Sequence, residues 1–498
     1  MKKLVLSLCL LTIKTAFAAD VDSPQMRSNR QATSDYYAQL LSSRSLDLAG
    51  LNLFANMMPK GGDLHHHFSG AHYAETYLDW IGQKGFCVYK TTDSSRKIEK
   101  FRVVIKPQEL SEAKRDHCIS AQDVREDNAF YRNLLMAWSS KDYANHYHEE
   151  TAPDEHFFDT FKYFEGVASQ SQMEGLALLK QRAKQENVSY IETLIGTGVA
   201  VKKPAFQDIF AQLKDQSTPQ EMIEVLTRAY EFLANDADTT SKINELADAT
   251  DALAAGIDDA EFRMRFMLYA SRNSTPDVVF SRLYTSFAAA QRSQKIVGVN
   301  IVGPENGYIA MRDYAYHMQM FQLLGKHFPE VKRSLHAGEL VLGMVPPEGL
   351  RNHIHQAVTI AGAQRIGHGV DIAHETGALK LLDAMARNKV AVEVNLTSNQ
   401  DILGVSAAMH PMSIYKRFNV PMVIATDDAG VSRNNLSGEY LLYMSRYQPT
   451  YDELKETVYN SIKYSFLNDS EKRGEMKGLD ARFADFEARI AALPRQKR

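Results

Sequence analysis

Short segments typical of buried strands alternate along this chain with longer segments whose apolar residues follow helical spacing. The segment of residues 188–195 is rich in β-branched and aromatic residues. Eight of the short segments lie near residues 62–67, 188–195, 262–270, 296–302, 331–336, 365–368, 390–396 and 421–427. Eight strand–helix units predict an α/β fold of the (β/α)8 TIM-barrel type. An open doubly wound sheet is the competing architecture, but no strand–helix turn carries the Gly-x-Gly-x-x-Gly of a dinucleotide site.

The N-terminus has the pattern of a secretory signal peptide. Lys2 and Lys3 precede an apolar run over residues 4–13, and Ala16-Phe-Ala18 has the small residues of a cleavage site. Residues 1–18 are therefore predicted to be removed, which places the mature protein in the periplasm or outside the cell. A short buried helix in a cytosolic protein is the alternative. The apolar run is too short to cross a bilayer, and no other run is long enough, so we expect no membrane partner.

The remaining chain divides by pattern into an arm and a barrel. Residues 19–57 are predicted to form an N-terminal helical arm outside the main fold, and residues 58–490 to form the barrel. Residues 72–160 are mostly helix-like and polar, with an irregular basic part, and about 85–125 are interpreted as an insertion after the first strand. Cys87 and Cys118 are the cysteines left after signal removal, and an even pair in an exported protein predicts a disulfide. Two separate buried thiols are the alternative.

Composition excludes few classes of protein. A hydrophobic content of 44% and a charged content of 24% are those of an ordinary globular protein. The formal net charge is −4, so no polybasic surface indicates a nucleic-acid partner.

Groups that bind metals or move protons stand at the ends of four predicted strands. Side chains alternate along a strand, so His65 and His67 face the same side while His66 points away. His336 and His368 end two further strands. Because the active site of a TIM barrel lies at the carboxyl ends of its strands, these residues are expected to meet at one rim with those that end the other strands: Gly303, Glu339, Asp427 and Asp428.

The residue types at this rim predict a mononuclear metal hydrolase. Three neutral histidines and one carboxylate (His65, His67, His336 and Asp427) suit zinc, which lowers the pKa of a bound water. Glu339 can give a proton to a substrate, His368 can act as a base or hold the attacking water, and Asp428 can hydrogen-bond the substrate. Each residue also has a structural alternative: Asp427-Asp428 as a turn or helix cap, His368 as a packing residue, and His336 with Glu339 as an ordinary loop.

Six motifs in order resemble those of the adenosine deaminase family, over about residues 58–435. They are Met58-Pro-Lys60, Leu64-His-His-His67, Ser69-Gly-Ala71, His336-Ala-Gly-Glu339, Arg365-Ile-Gly-His-Gly369 and Thr426-Asp-Asp428. The signal peptide, the Met58-Pro-Lys-Gly-Gly62 start and the cysteine-bearing insertion look more like the secreted branch, the adenosine deaminase-related growth factors.

The resemblance implies zinc-dependent hydrolytic deamination of adenosine or 2′-deoxyadenosine, with one zinc per chain. It implies that Glu339 protonates the purine N1, that His368 orients and helps to deprotonate the water, and that Asp428 pairs with N7. The backbone of Gly303 would meet N3. Ser69 stands where the cytosolic family has an aspartate that contacts the ribose 5′ end, and its hydroxyl can hydrogen-bond there without a charge.

Other functions stay open at this stage. The second class of deaminase needs a Pro-Cys-x-x-Cys segment, which the chain lacks, and a two-metal hydrolase needs a bridging group such as a lysine where Val302 and Gly303 stand. Deamination of adenine or an adenine nucleotide is the alternative reaction. A secreted nucleoside-binding or signalling protein is the alternative class, although a binder does not need Glu339. The resemblance to dimeric secreted proteins predicts a homodimer.

Overall fold

The computed structural model describes residues 23–42, 46–93, 98–115, 117–140, 151–213 and 217–493. The predicted signal peptide, residues 1–18, lies outside the described residues.

Eight parallel strands form the central barrel and confirm the predicted fold class. In spatial order they are β1 Gly61–His67, β5 Val188–Thr197, β6 Arg263–Ser271, β7 Ile296–Val302, β8 Lys332–Ala337, β9 Arg365–His368, β10 Ala391–Val394 and β11 Met422–Ile424. Main-chain hydrogen bonds close the ring between its first and last strands. The Asp427 amide donates to the His65 carbonyl at 2.8 Å, and the His67 amide donates to the Asp427 carbonyl at 3.3 Å. An open doubly wound sheet is therefore excluded.

Helices surround the barrel and connect its strands. Their bounds are α1 Pro24–Ser42, α2 Leu48–Met57, α3 Ala74–Gln83, α4 Glu112–Arg115, α5 Ala121–Glu126, α6 Asn128–Ala137, α7 Pro153–Ser169, α8 Gln172–Gln185, α9 Pro204–Phe210, α10 Pro219–Ala234, α11 Ala237–Leu253, α12 Pro276–Arg292, α13 Tyr308–Arg312, α14 Tyr314–His327, α15 His353–Thr359, α16 Ala378–Asn388, α17 Leu396–Leu403, α18 Met412–Arg417, α19 Leu436–Tyr447, α20 Tyr451–Lys463 and α21 Asp469–Ala491. Local sequence determines where several of these helices begin. At α10, Thr218 caps the helix, Pro219 is preset for its first turn, and Glu221 completes a capping box.

The N-terminal helices pack in the outer helical layer. α1 runs along α21, and α2 packs against α19. Phe54 joins them, because its ring lies 5.2 Å from that of Tyr37 and 5.1 Å from that of Phe486. The segment that we interpreted as an arm thus shares the core of the barrel's helices.

The insertion after β1 contains a small sheet that its polar sequence did not predict. Strands β2 Cys87–Asp93, β3 Ile98–Val104 and β4 Cys118–Ile119 are antiparallel. The predicted disulfide joins Cys87 to Cys118, with their Cα atoms 5.4 Å apart. Val88 and Phe101 are buried on one face of the sheet, and the indole N–H of Trp138 donates to the Phe101 carbonyl at 2.8 Å. The strands depend on this packing, which pattern alone does not show.

No helix in the described part of the chain combines the length and the apolar character needed to cross a membrane.

Candidate active site

The structure brings the predicted histidines to one point at the carboxyl end of the barrel. His65 and His67 point from β1 into the barrel, whereas His66 points away and hydrogen-bonds the Thr193 hydroxyl at 2.9 Å. The Nε2 atom of His67 lies 3.3 Å from Nε2 of His65 and 3.2 Å from Nε2 of His336. One carboxylate oxygen of Asp427 lies 3.4 Å from Nε2 of His65 and 3.3 Å from Nε2 of His67. The alternation of β1 therefore predicted this face correctly.

Two buried partners aim these imidazoles. Nδ1 of His65 hydrogen-bonds the Glu393 carboxylate at 2.7 Å, and Nδ1 of His336 hydrogen-bonds the side-chain amide oxygen, Oδ1, of Asn300 at 3.0 Å. Because both partners accept, the ring hydrogen lies on Nδ1, and each Nε2 presents a lone pair to the shared point. Burial alone would raise the pKa of Glu393, but Arg365 and His65 bring it to about 2.

The spacing of the donor atoms fits a metal ion of the size of zinc. Ligand atoms held about 2.0–2.1 Å from zinc in a tetrahedron lie roughly 3.3–3.4 Å apart, which matches the four distances above. A hydrogen on His67 could satisfy one of its three close neighbours but not all of them. His368 comes near the same point, with Nε2 at 3.6 Å from Asp427, and belongs to the same group of possible metal donors as His65, His336 and Asp427.

Strained backbone holds several of these groups in place. His368 and Asp427 have φ values of 69° and 60°, in the left-handed region that costs an L-residue roughly 1–2 kcal/mol. Gly338 has a φ of 74°, and a Cβ there would lie 2.4 Å from an Asp371 oxygen. Glycine at this position therefore lets the chain turn between His336 and Glu339.

Glu339 and Asp428 are buried carboxyls beside the cluster. Glu339 lies 3.5 Å from Nε2 of His368. Burial and the charges of Asp427 and Glu305 raise the pKa of Glu339 well above its usual value, which favours a proton donor. Burial and the Asp427 charge also raise the pKa of Asp428. Asp428 Oδ1 has no hydrogen-bond partner among the described residues, so it is free to bind a ligand.

A buried ion pair anchors the loop that carries Glu339. The Glu305 carboxylate accepts the amides of Gly338 and Glu339 at 3.1 and 2.9 Å. Arg272 lies 3.5 Å from Glu305 and donates to the His336 carbonyl at 2.6 Å. The pair thus holds both ends of the His336–Glu339 turn. Burial opposes ionisation, yet Arg272 and His353 lower the pKa of Glu305 to about 2.

A cavity of about 630 Å³ opens above the cluster. Ser69, Gly303, Glu339, His368 and Asp428, all predicted from sequence, line it. Gly303 ends β7 with a φ of 99°, which favours glycine. One wall comes from α7 and combines three aromatic rings with charged groups: Phe157, Phe158, Phe161, Asp154, Glu155, Asp159, Lys162 and Glu165.

Sequence reasoning missed the residues that support this site. Glu393 had a signal, because it is the one charged side chain inside the apolar run of residues 390–396. Asn300 had a similar signal, because it is the one polar side chain inside the apolar run of residues 296–302. Nothing in the local pattern distinguishes Glu305, which follows the β7 end, from an ordinary loop residue. The α7 wall was not assigned to the site from the sequence, because its approach to the barrel mouth depends on the tertiary fold.

Comparison with known proteins defines the class. The sequence model described as adenosine deaminase matches residues 185–482, more than half of the chain. The chain belongs to the adenosine deaminase family, as its motifs predicted.

Individual relatives are more distant. An adenosine deaminase of Vibrio cholerae is 29% identical over 224 residues, which cover 45% of this chain and 61% of that protein. The match thus spans less than two thirds of the relative's length. An adenine deaminase from Arthrobacter aurescens superposes with a TM-score of 0.53 at 16% identity, over 84% of this chain and 98% of that one. The N6-methyl-AMP deaminase of Arabidopsis thaliana superposes with a TM-score of 0.53 at 16% identity, over 86% of this chain and 98% of that one. These two structures show a shared fold.

Proposed function

We propose that this protein catalyses the zinc-dependent hydrolytic deamination of adenosine and 2′-deoxyadenosine. The observation that carries the proposal is the convergence of four metal-donor atoms, a buried acid and an unpartnered carboxylate oxygen on one cavity. The family membership and the Vibrio cholerae relative support the same reaction.

The metal would be held by His65, His67, His336 and Asp427. When bound, zinc acts as a Lewis acid that lowers the pKa of the attacking water. The neutral nitrogen donors with one carboxylate favour zinc over magnesium or calcium, which prefer all-oxygen sites.

The other side chains would act on the purine. Glu339 gives its proton to N1, which makes C6 more electrophilic, and His368 holds the attacking water at C6. The water oxygen bonds to C6, the C6–N6 bond breaks, and the amino group leaves as ammonia, so adenosine and water give inosine and ammonia. Asp428 pairs with the N7 edge, and the Gly303 backbone approaches N3.

The charge of the α7 wall favours a nucleoside over a nucleotide. Asp154, Glu155, Asp159 and Glu165 line this side of the cavity, and no arginine does so among the described residues. The one lining lysine, Lys162, is paired with Asp159. A phosphate would meet net negative charge without a bidentate partner. The uncharged Ser69 suits a ribose hydroxyl.

We further infer that the protein is exported. The N-terminal sequence supports export, and the Cys87–Cys118 disulfide is of the kind that persists in oxidising compartments. Membership of the secreted growth-factor-like branch and a homodimer remain predictions. Sedimentation of the purified protein tests the predicted homodimer, and a mass equal to that of a single mature chain would contradict it.

The test is a spectrophotometric assay that follows the loss of adenosine absorbance on incubation with the purified protein, before and after treatment with a zinc chelator. We expect conversion to inosine that the chelator abolishes and that added zinc restores. Glu339→Gln should retain about one zinc per chain and lose turnover. Zinc binding without turnover on adenosine would instead favour adenine or a nucleotide as substrate. Nucleoside binding that Glu339→Gln leaves intact, with no turnover by the wild type, would favour a binding protein.

A further inference from the structure

A hydrogen-bond chain behind the site determines which nitrogen of His368 carries its hydrogen. The chain starts at a backbone amide, the N–H of Met412, which lies 3.2 Å from Nδ1 of His410. A backbone amide can only donate, so this Nδ1 accepts. Burial and Arg446 lower the pKa of His410 to about 4, so the ring is neutral. Its one hydrogen therefore lies on Nε2.

Asn399 relates the donor and acceptor roles of His410 to those of His368. Nε2 of His410 lies 3.0 Å from Oδ1 of Asn399, and a ring N–H requires the oxygen there. The amide nitrogen of Asn399 then faces Nδ1 of His368 at 2.8 Å. The amide nitrogen of Asn395 lies 3.4 Å from the same atom. The Asn399 amide N–H thus donates to Nδ1, which must accept, and the hydrogen of a neutral His368 lies on Nε2.

This arrangement is opposite to that of the two aimed histidines in the metal cluster. His65 and His336 give their Nδ1 hydrogens to Glu393 and Asn300 and keep a lone pair at Nε2. His368 keeps an N–H at Nε2, directed into the cavity. That nitrogen lies 3.5 Å from Glu339 and 3.6 Å from Asp427, too far for good hydrogen bonds to either, so a substrate water can take the position.

We propose that Asn399 and His410 are positioning residues that make His368 a hydrogen-bond donor at the reaction centre, rather than a base or a metal ligand. Neither residue lines the cavity, and both are buried. The catalytic meaning rests on the proposed deamination. His368 then holds the oxygen of the attacking water through Nε2–H. One proton of the water passes to the Glu339 carboxylate, which has given its own proton to N1, and then to the leaving ammonia. The second water proton leaves the C6 hydroxyl as the C6 carbonyl forms and restores the Glu339 carboxylic acid.

A matched pair of substitutions at His410 tests the direction of the chain. In the variant His410→Gln, the side-chain amide can donate an N–H to Asn399 Oδ1, as His410 Nε2–H does in the wild type. The orientation of the Asn399 amide is therefore preserved. In the variant His410→Glu, the carboxylate can only accept, so the Asn399 amide rotates to direct its NH2 group toward residue 410. Its oxygen then faces Nδ1 of His368, which favours the tautomer with the hydrogen on Nδ1. The nearby Arg446 compensates the new charge. Both variants lose the same imidazole packing, so a difference between them reports the hydrogen-bond direction.

Two readouts separate this proposal from the proposed function. The first is the ¹⁵N spectrum of histidine-labelled protein, with the His368 signals assigned by their loss in His368→Gln. We expect an Nε2–H form in the wild type and His410→Gln, and an Nδ1–H form in His410→Glu. The same form in both variants, or Nδ1–H in the wild type, would overturn the proposal whether or not the protein deaminates adenosine.

The second readout is steady-state kinetics of the zinc-loaded variants. We expect His410→Glu to lower kcat at least about tenfold relative to His410→Gln, with KM and zinc content similar in both. Equal kcat values in the two variants would contradict the donor role even if the spectra changed. Absence of activity in the wild type would reject the deaminase function and leave the tautomer result standing.

Discussion

Nδ1 of His65 lies 2.7 Å from a carboxylate oxygen of Glu393, and both side chains are fully buried. The other Glu393 oxygen is held by Arg365, which also pairs with Glu192 at 2.6 Å. A glutamate on β10 thus orients an imidazole on β1, because adjacent side chains inside a barrel meet irrespective of their distance along the chain.

Loss of the Glu393 carboxylate should weaken metal binding. Glu393→Gln is expected to reduce zinc affinity by about 10–100-fold, since a second partner of a ligating histidine contributes that much. Competition with a chromogenic chelator measures the change. Glu192→Gln is the matched control, because it removes charge from the same arginine without touching His65. Equal losses of zinc affinity in the two variants would show that Arg365, not His65, mediates the effect.

Glu305 should control turnover through the position of Glu339. In Glu305→Gln one of the two loop amides loses its acceptor, and we expect kcat to fall about 10–100-fold with zinc still bound. Steady-state kinetics with metal analysis measures both. Glu375→Gln is the control, because Glu375 also accepts two backbone amides, those of Ile354 and His355, but does not hold the β8 loop. A similar fall in both variants would indicate a general loss of packing.

The lowered pKa of Glu305 should make the stability of the fold depend on pH. The folded pKa of Glu305 is about 2, below its ordinary 4.5, so its ionised form stabilises the fold above pH 4.5, and that contribution is lost as pH falls toward 2. The difference amounts to an upper bound on the order of 3 kcal/mol. Urea unfolding of metal-free wild type and Glu305→Gln should show a gap in unfolding free energy at pH 7 that narrows below pH 4.5. A gap independent of pH would contradict this origin.

The acidic α7 wall should discriminate against phosphate. We expect kcat/KM for AMP to be at least about 100-fold below that for adenosine. Glu165→Gln should raise the AMP value about tenfold at low salt and change the adenosine value less. Glu174→Gln on α8, where the side chain pairs with Lys84 outside the cavity lining, is the control for net charge. Equal rates on the two substrates in the wild type would refute the charge argument.

The disulfide should stabilise the insertion without affecting chemistry. It closes a loop with a sequence separation of 31, worth about 3–4 kcal/mol in the chain-entropy model. Replacement of both Cys87 and Cys118 by alanine should lower the stability of the insertion's sheet by that order. Limited proteolysis and thermal unfolding measure this, while zinc content and kcat should stay near wild type. Loss of zinc would show that the insertion supports the barrel mouth.

Local pattern predicted much of the fold. Strand–helix alternation predicted all eight barrel strands, because short strand-like segments recur between longer segments with helical spacing of their apolar residues. The last two were predicted too long: residues 390–396 end as a strand at Val394, and α17 begins at Leu396. The β2–β3 hairpin was missed because its polar sequence becomes a strand only when Val88 and Phe101 are buried.

The sequence by itself determined the residues at the strand ends, since strand alternation and barrel closure bring His65, His67, His336, His368 and Asp427 together once eight units are recognised. Only the tertiary structure decided how these side chains are aimed. Glu393, Asn300 and Asn399 are set by packing between strands and helices far apart in sequence, and they decide which ring nitrogen carries a hydrogen. A hydrogen-bond direction depends on what lies across the core, and no local pattern encodes that.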